Sequence, residues 1–341
     1  MAISMKMVRI FKFRENCLND TAFNTMSFIG HIKKKFSPTL VEQLGYSDKD
    51  ILVIVNIDDV GLHKDETEAS FRALNFGMVK SGSIMVPCPN FDHVIKLWKE
   101  NPETDLGVHL TLTCEWGKKY PWHPVLSEAD VPSLYNPEGI MWQSVEELLQ
   151  HAKRKDIALE LEAQINKVLE TGLKPSHIDC HMVFHHQFDL LPIVVELSRK
   201  YTLPMRVPKR KIYKLPFIKN NLSSLRKAGY VFPNTQMGIY MSGGQNRSLE
   251  FRKAKYHDYL RSLTPGVHNI KVHISLQTGE LEDIIGHHSL SIRQIDYEVW
   301  TSDDTKKLAQ ELGITFIGYR PLQQLQEKIL SLKNNRFKEA Y

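Results

Sequence analysis

The chain has 341 residues, of which 42% are hydrophobic and 24% are charged, and its formal net charge is +5. This length allows one large α/β domain or two ordinary ones, and the composition is that of a folded globular protein. The small net charge argues against a nucleic-acid-binding protein. Two basic stretches, at 31–35 and 209–227, do not change this, because neither has interleaved aromatic residues at a recognisable spacing.

The cysteines and the apolar segments indicate where the protein resides. Four scattered cysteines without a C-x-x-C motif are typical of a reducing compartment. No segment has the roughly 18 consecutive apolar residues of a membrane span. The N-terminal region lacks the apolar core and the small-residue cleavage site of a secretory signal. We therefore expect a cytoplasmic protein that does not bind membranes.

Strand-like and helix-like patterns alternate along most of the chain. We predict an N-terminal extension at 1–48, one domain at 49–320 and a C-terminal helix at 321–341. The predicted strands are 51–57, 82–87, 105–113, 175–181, 204–207, 234–241, 267–275 and 314–318. The predicted helices are 64–80, 90–101, 144–171, 186–201, 247–263 and 291–312, with a terminal helix near 321–333.

This alternation predicts a parallel sheet, because parallel strands need a crossover, usually a helix, to return the chain. About seven or eight such strands are typical of a closed or nearly closed (β/α) barrel, whose functional residues lie at the carboxyl ends of the strands. The segment 117–138, which is rich in Pro, Trp and Tyr, follows a strand. We expect it to lie over the functional face and to line a substrate groove.

Two adjacent acids follow the first predicted strand. The aliphatic run from Ile51 to Val55 leads to Asp58 and Asp59, just before Gly61, where the chain can turn away. Neighbouring carboxylates repel each other unless a positive group lies between them, and a divalent cation is the usual one. The pair therefore predicts a metal site at this strand end.

Two further strands each carry one histidine. His109 lies inside the third predicted strand, and His273 ends an apolar strand that begins at Asn269. Each is, by itself, more typical of a core imidazole that satisfies a buried carbonyl than of a metal ligand or catalytic group. His273 gains weight because it repeats the strand-end placement of the acids. His287 and His288 are expected in a surface loop.

The strongest histidine pattern is that of His177, Asp179 and His181, which alternate along one predicted strand and so project to one side. Three ionisable side chains on one side of an apolar strand are costly unless they bind something. A solvated edge strand is the alternative interpretation. Helical patterns on both sides favour a central strand, and therefore a metal or catalytic site. His185 and His186 are expected to begin the next helix or to be exposed.

Taken together, Asp59, His109 and His181 form a carboxylate and two imidazoles from three strands. This set leaves coordination positions open for water and substrate, as in hydrolytic metal sites. Asp58 is then available to take a proton from the attacking water, and His273 to protonate a leaving amine from the opposite side. The pattern predicts amide hydrolysis, with zinc, iron or another first-row ion all compatible with these ligands.

Four motifs resemble those of the YdjC-like carbohydrate deacetylases, the family that includes chitooligosaccharide deacetylase. They are N-I-D-D-V-G at 56–61, S-G-S-I-M-V at 81–86, G-V-H-L-T-L-T at 107–113 and H-I-D-C-H at 177–181. No single motif is decisive, but four in this order with barrel-like spacing are specific. The resemblance extends from Ile51 to about Pro321.

The resemblance implies a distorted (β/α) barrel that removes the acetyl group from an N-acetylated sugar. It implies one divalent metal ion, magnesium or zinc, on Asp59, His109 and His181. It further implies Asp58 as general base and His273 as general acid. It also allows a homodimer.

The chain departs from the family pattern at two positions, and these departures leave other hypotheses open. Val60 stands where the family commonly has Phe, and Val183 where it often has a further His. The missing His motivates a second hypothesis, a sugar-binding or regulatory barrel without catalysis, although the retained acids and histidines argue against it. A third hypothesis, a phosphoesterase or another amidohydrolase, would usually require a second metal with more ligands.

Overall fold

The computed structural model describes residues 38–187, 189–207, 216–239 and 248–338. Most of the predicted N-terminal extension, with the basic stretch at 31–35, lies outside the described residues. The helices are α1 Leu40–Gln43, α2 Lys64–Phe76, α3 Phe91–Glu100, α4 Val145–His151, α5 Arg154–Glu170, α6 Leu191–Tyr201, α7 Pro216–Ala228, α8 Leu249–Arg261, α9 Gly279–Trp300, α10 Asp303–Glu311 and α11 Arg320–Lys338. The strands are β1 Ile51–Val60, β2 Ser81–Ile84, β3 Leu106–Leu110, β4 Ile178–Cys180, β5 Thr235–Met237, β6 Gly266–Val272 and β7 Ile314–Phe316.

The strands form one seven-stranded parallel sheet in the order β4-β3-β2-β1-β6-β5, with β7 also paired to β1. The sheet curls into an open half-barrel flanked by helices, which confirms the predicted α/β fold. Beyond β4 it continues only through a single bridge between Ile178 and Met205, so the strand predicted at 204–207 is reduced to one residue. In the described ranges, no pairing joins Met205 to β5.

Strand β1 is the centre of this sheet. One of its edges pairs with β6 from Ile51 to Ile57, and the other is shared by β7 at the start and β2 at the end. Every residue after Ile51 is buried, which explains the unbroken aliphatic run, because a central parallel strand has no solvent-facing side. The run ends in polar residues that are buried as well, and these begin the site.

The chain after β4 differs from its prediction. A short 3-10 helix at His181–His186 follows the strand, and α6 begins only at Leu191, so His185 and His186 do not begin a helix of the α type. Met182 and Val183 have φ angles of 49° and 48°, in the left-handed region that β-branched residues such as Val183 rarely adopt. A continuous α-helix cannot pass through such residues. The helix predicted at 144–171 is likewise divided, into α4 and α5.

The helix predicted at 291–312 was also wrong in its bounds. Its first part belongs to α9, which begins at Gly279 after the cap residue Thr278, and its second part is α10. Gly286, with a φ of 80°, kinks α9 without ending it, because glycine adopts this conformation without steric cost. His287 and His288 therefore lie in a helix and not in a loop, and His287 is exposed as expected.

The ends of the described chain pack on one side of the sheet. Val41 of α1 and Leu322 of α11 are buried against Leu52 and Ile54 of β1, in a cluster that Val267 of β6 completes. Burial of such side chains stabilises by about 1.5–3 kcal/mol each. None of the helices in the described ranges combines the length and the apolar content that a membrane crossing requires.

Gly107 of β3 provides a test of how tightly the strands beside the site pack. A Cβ atom at this position would lie 2.6 Å from the carbonyl oxygen of His177 and would overlap its ring. We expect Gly107→Ala to lower the free energy of unfolding by about 1–3 kcal/mol, since the neighbouring backbone must move. Urea denaturation measures this change.

The control for this prediction is Gly279→Ala at the start of α9, where a Cβ would meet nothing within 4 Å. That substitution should leave the stability unchanged or raise it slightly. Equal stability of the Gly107→Ala variant and the wild type would contradict the packing described here.

Candidate metal centre

The turn after β1 separates the two adjacent acids. Asp59 has a φ of 67°, in the left-handed region, and Gly61 has a φ of 94°. The N–H of Leu62 donates to the carbonyl of Asp59 at 3.1 Å and closes the turn. A non-glycine residue in this conformation is strained, and such strain is concentrated at functional sites. The turn gives Asp58 and Asp59 different partners, although both are only 2% exposed.

The structure brings Asp59, His109 and His181 together. Asp59 Oδ1 lies 3.3 Å from His109 Nε2 and 3.1 Å from His181 Nδ1. One ligand atom from each of these residues lies within 4.8 Å of the others, which is the arrangement that a single metal ion requires. The three side chains come from the ends of β1, β3 and β4, as the strand-end pattern predicted.

Asp59, His109 and His181 are called the trio below. Each imidazole of the trio is also oriented by a carboxylate that lies outside it. His109 Nδ1 lies 2.6 Å from Asp179 Oδ1, and His181 Nε2 lies 2.9 Å from Glu115 Oε2. An N–H donated to a carboxylate fixes the ring and directs its other nitrogen toward Asp59. Metal-binding histidines are oriented by such carboxylates as a rule. The donor types, the burial and the outer carboxylates therefore fit a divalent cation.

Asp58 has an arginine as its principal partner. Arg206 donates to both oxygens of Asp58, to Oδ2 at 2.7 Å, and also lies 3.0 Å from Asp179 Oδ2. The side-chain amide of Asn56 donates to Asp58 Oδ1 and to Asp179 Oδ2, each at 3.2 Å. Asp58, His109 and Asp179 also lie close enough to share an ion, but the Arg206 guanidinium already supplies the positive charge there.

A second buried arginine contacts Asp59. Arg293 of α9 donates from its terminal nitrogen to Asp59 Oδ2 at 2.7 Å, and from Nε to Glu66 Oε1 at 2.5 Å. His273 lies on the same side, with Nε2 at 3.8 Å from Asp59 Oδ2. The two oxygens of Asp59 therefore face different groups, since Oδ1 faces the imidazoles and Oδ2 faces Arg293 and His273.

The histidines of the site differ in the direction in which their pKa values are shifted. Burial disfavours the charged form of His181, but Glu115 and Asp59 outweigh it and raise its pKa to about 10. The pKa of His109 is also raised, because Asp179 outweighs burial. Burial lowers the pKa of His273 to about 3, with Lys271 and Arg293 acting in the same direction. At neutral pH His181 is therefore in its charged, doubly protonated form when no metal is bound, and His273 is neutral.

The pKa values of the carboxyl groups are also shifted in different directions. Burial would raise the pKa of Asp59, but His273, His109 and His181 hold it well below its usual range. The pKa of Asp58 is lowered because Arg206 outweighs burial. Burial raises the pKa of Glu66 to about 8 although Arg293 opposes it. Asp58 and Asp59 are therefore ionised and able to act as base and ligand.

Three side chains around the centre are partly exposed. The side chains of His273, Glu115 and Lys271 are 14%, 17% and 20% exposed, whereas those of His109 and His181 are 2% and 5% exposed. Among these groups of the described residues, the first three are therefore the ones that solvent reaches most easily. His273, predicted as the acid, is one of them.

Not every residue of the predicted cluster joins the centre. The His177 ring stacks on Tyr319, with ring centroids 3.9 Å apart, and its Nε2 is 3.8 Å from Asp179 Oδ2. It supports the strand and does not face the trio. His185 is buried, neither of its ring nitrogens has a hydrogen-bond partner among the described residues, and burial holds its pKa well below the usual value.

Three residues that contact the centre were not predicted from the sequence. Arg206 lies near the end of the short strand predicted at 204–207, so the strand-end rule would have found it. Glu115 lies in the loop after β3, one of the positions where barrel enzymes place functional groups. Arg293 lies within α9, and no local sequence pattern distinguishes it from a surface arginine.

The sequence profile described as YdjC-like protein matches residues 52–311, well over half of the chain. The chain belongs to the YdjC-like family. The matched region contains the trio, Asp58, Arg206 and Arg293.

Several curated relatives are similar to this YdjC-like chain. A carbohydrate deacetylase of Geobacillus stearothermophilus is 36% identical over 166 residues, which are 48% of this chain and 63% of that protein. A chitooligosaccharide deacetylase of Proteus mirabilis is 32% identical over 46% of this chain and 58% of its own length. The chain thus spans less than two thirds of these relatives. A carbohydrate deacetylase of Thermoanaerobacter pseudethanolicus is 26% identical over 80% of this chain and 99% of its own length.

A solved structure has the same fold. The crystal structure of a protein from Enterococcus faecalis V583, named for cellobiose-phosphate cleavage, aligns with a TM-score of 0.67 at 25% sequence identity. The alignment covers 80% of this chain and 99% of that one. The curled parallel sheet is therefore an established architecture for a chain of this kind.

The pKa values predict that metal binding releases protons. Because the pKa of His181 is raised to about 10, the ring is doubly protonated at pH 7.5 without a metal, and an ion must displace the Nδ1 proton. The proton is bound below about pH 10, so the apparent metal affinity should rise with pH up to that value. Calorimetric titration with zinc at pH 7.5, in two buffers of different ionisation enthalpy, should show about one proton or more released.

The matched control is Glu115→Gln, which removes a carboxylate that raises the pKa of His181. This variant should release fewer protons at the same pH. Identical binding heats in the two buffers for the wild type would contradict the assignment of His181 as a ligand.

Proposed function

We propose that this protein is a metal-dependent hydrolase that removes the acetyl group from an N-acetylated amino sugar or oligosaccharide. The observation that carries the proposal is the convergence of Asp59, His109 and His181, with the ionised Asp58 close by. The names of the deacetylase relatives support the substrate class. The family membership supports the same reaction.

In this proposal Asp59, His109 and His181 hold one divalent ion. The ion, when bound, supplies Lewis-acid polarisation of the acetamide carbonyl and lowers the pKa of water. Two imidazoles and one carboxylate suit zinc or another first-row ion, because magnesium prefers oxygen ligands. The resemblance to the family points to magnesium, so metal analysis of protein purified without added ions decides between them.

Asp58 is the proposed general base. Its carboxylate is ionised and oriented by the two donated N–H groups of Arg206, and it lies beside the trio. An oriented base within reach of water is worth about 10²–10⁴ in rate. Arg206 keeps this carboxylate ionised and prevents it from turning away from the water.

His273 is the proposed general acid, and its pKa determines how it obtains a proton. Since its pKa is lowered to about 3, His273 is neutral before the reaction. His273 must therefore take up a proton during the reaction before it can protonate the leaving nitrogen. Its side chain is 14% exposed, which supports a role in contact with substrate.

Two wider expectations belong to the proposal. The cysteines Cys88, Cys114 and Cys180 are free and buried, which supports a cytoplasmic location. The homodimer that the family resemblance allows stays a prediction, to be tested by sedimentation.

A non-catalytic sugar-binding barrel is the second candidate, favoured by Val183. This residue replaces a histidine common in the family and adopts a φ of 48° two positions after His181. It is partly buried and changes the polarity of the segment beside the centre. The ion-binding trio is complete without it.

Acetate release tests the proposed function directly. The protein should release acetate from at least one member of a panel of N-acetylated mono- and oligosaccharides, and a chelator should abolish the release. Restoration by added zinc or magnesium would show which of these ions supports the release. Saturable sugar binding without any acetate, in protein shown to contain metal, would support the non-catalytic alternative instead.

Asp58→Asn should separate chemistry from metal binding. The variant should lose about 10²–10⁴ in kcat, because the water loses its base, while its zinc affinity stays within a few fold of the wild type. Asp59→Asn should lose both turnover and zinc affinity, since it removes a ligand. Coupled acetate assays and zinc titrations measure these effects. Deacetylation by Asp58→Asn at the wild-type rate would exclude it as the base.

A further inference from the structure

The two oxygens of Asp59 are used differently. Oδ1 lies 3.1 Å from His181 Nδ1 and 3.3 Å from His109 Nε2. Oδ2 accepts a charge-assisted hydrogen bond from Arg293 at 2.7 Å. Both partners of this bond are almost fully buried, with side-chain exposures of 2% and 3%. A bond of this kind, shielded from water, is strong and is not exchanged for solvent.

Arg293 itself is fixed in place. Its Nε donates to Glu66 of α2, and its guanidinium lies 5.9 Å from the centre of the Trp116 ring, within cation–π range. The two hydrogen bonds that Arg293 donates therefore link Glu66 of α2 to Asp59 at the end of β1. Since the fork of an arginine is planar and rigid, its orientation toward Glu66 also determines its orientation toward Asp59.

We propose that Arg293 is a positioning residue that keeps Asp59 Oδ2 away from the metal, so that Asp59 contributes one oxygen and leaves coordination positions open for water and substrate. This inference rests on the proposed function, because it assumes an ion on Asp59, His109 and His181. An ion held by both oxygens of a carboxylate has fewer positions left for reactants.

The arrangement has an electrostatic consequence. Arg293 places a permanent positive charge against a carboxylate that binds a cation, and this charge weakens binding of the cation. Removing Arg293 should therefore tighten metal binding while it slows the reaction. A residue that only supported the fold would weaken both when removed.

The test replaces Arg293 without leaving the carboxyl group of Glu66 unpaired. The double variant Glu66→Gln/Arg293→Met removes the guanidinium charge and leaves no carboxyl group at position 66, and the single variant Glu66→Gln is the matched control, because glutamine still accepts the Nε hydrogen bond. The probe is Co²⁺, whose visible absorption weakens as its coordination number rises. Affinity is measured by competition with a chelator, and turnover by acetate release.

We expect the single variant to keep the cobalt spectrum of the wild type. The double variant should show a weaker and altered spectrum, about tenfold tighter Co²⁺ binding and about a hundredfold lower kcat. If the double variant does not fold, Arg293→Lys, which lacks the planar fork, should change the spectrum in the same direction.

An unchanged spectrum and unchanged or weaker Co²⁺ binding in the folded double variant would overturn this role for Arg293. That result would leave the proposed function intact, because the wild type would still bind the ion and release acetate. A wild type that binds no Co²⁺ at all would instead refute the metal centre on which both proposals rest.

Discussion

The burial of Asp58 and Asp59 side by side at the end of β1 is the constraint on which the rest of the site depends. Each carboxylate is 2% exposed, and a buried charge is very costly unless a group of opposite charge is in contact with it. The structure meets this requirement separately for each acid. Arg206 contacts Asp58, while His109, His181 and Arg293 contact Asp59.

The separation of the two acids explains their different roles. The left-handed turn at Asp59 directs it to the imidazoles, whereas Asp58 faces the Arg206 side. A carboxylate fully paired with an arginine is not available as a strong ligand, but it stays ionised and oriented. A carboxylate with one oxygen facing two imidazoles, as in Asp59, is placed to bind a metal ion together with them. The backbone geometry of one residue thus supports the division between base and metal ligand.

The sequence pattern predicted the α/β fold and the proximity of Asp59, His109 and His181. The carboxyl ends of parallel strands lie at one edge of the sheet, so side chains at the ends of separate strands are expected to meet there. Period-two alternation was less reliable, because it also included His177, which stacks on Tyr319 and does not face the trio. The chain leaves β4 in a 3-10 turn just after Cys180, so the alternation does not extend to His181.

The charged partners of the trio were beyond the reach of local patterns. Arg293 of α9 meets Asp59 across 234 positions of sequence and Glu66 across 227, so no local pattern could indicate either contact. Glu115 meets His181 across 66 positions of sequence. Contacts of this kind depend on the tertiary packing of helices and loops on the sheet.

Anomalous diffraction from crystals of the protein soaked with zinc tests the proposed metal centre most directly. We expect one strong peak at about 2.0–2.2 Å from Asp59 Oδ1, His109 Nε2 and His181 Nδ1. A well-ordered structure in which zinc binds elsewhere, or in which the two imidazoles do not contact a common ion, would contradict it.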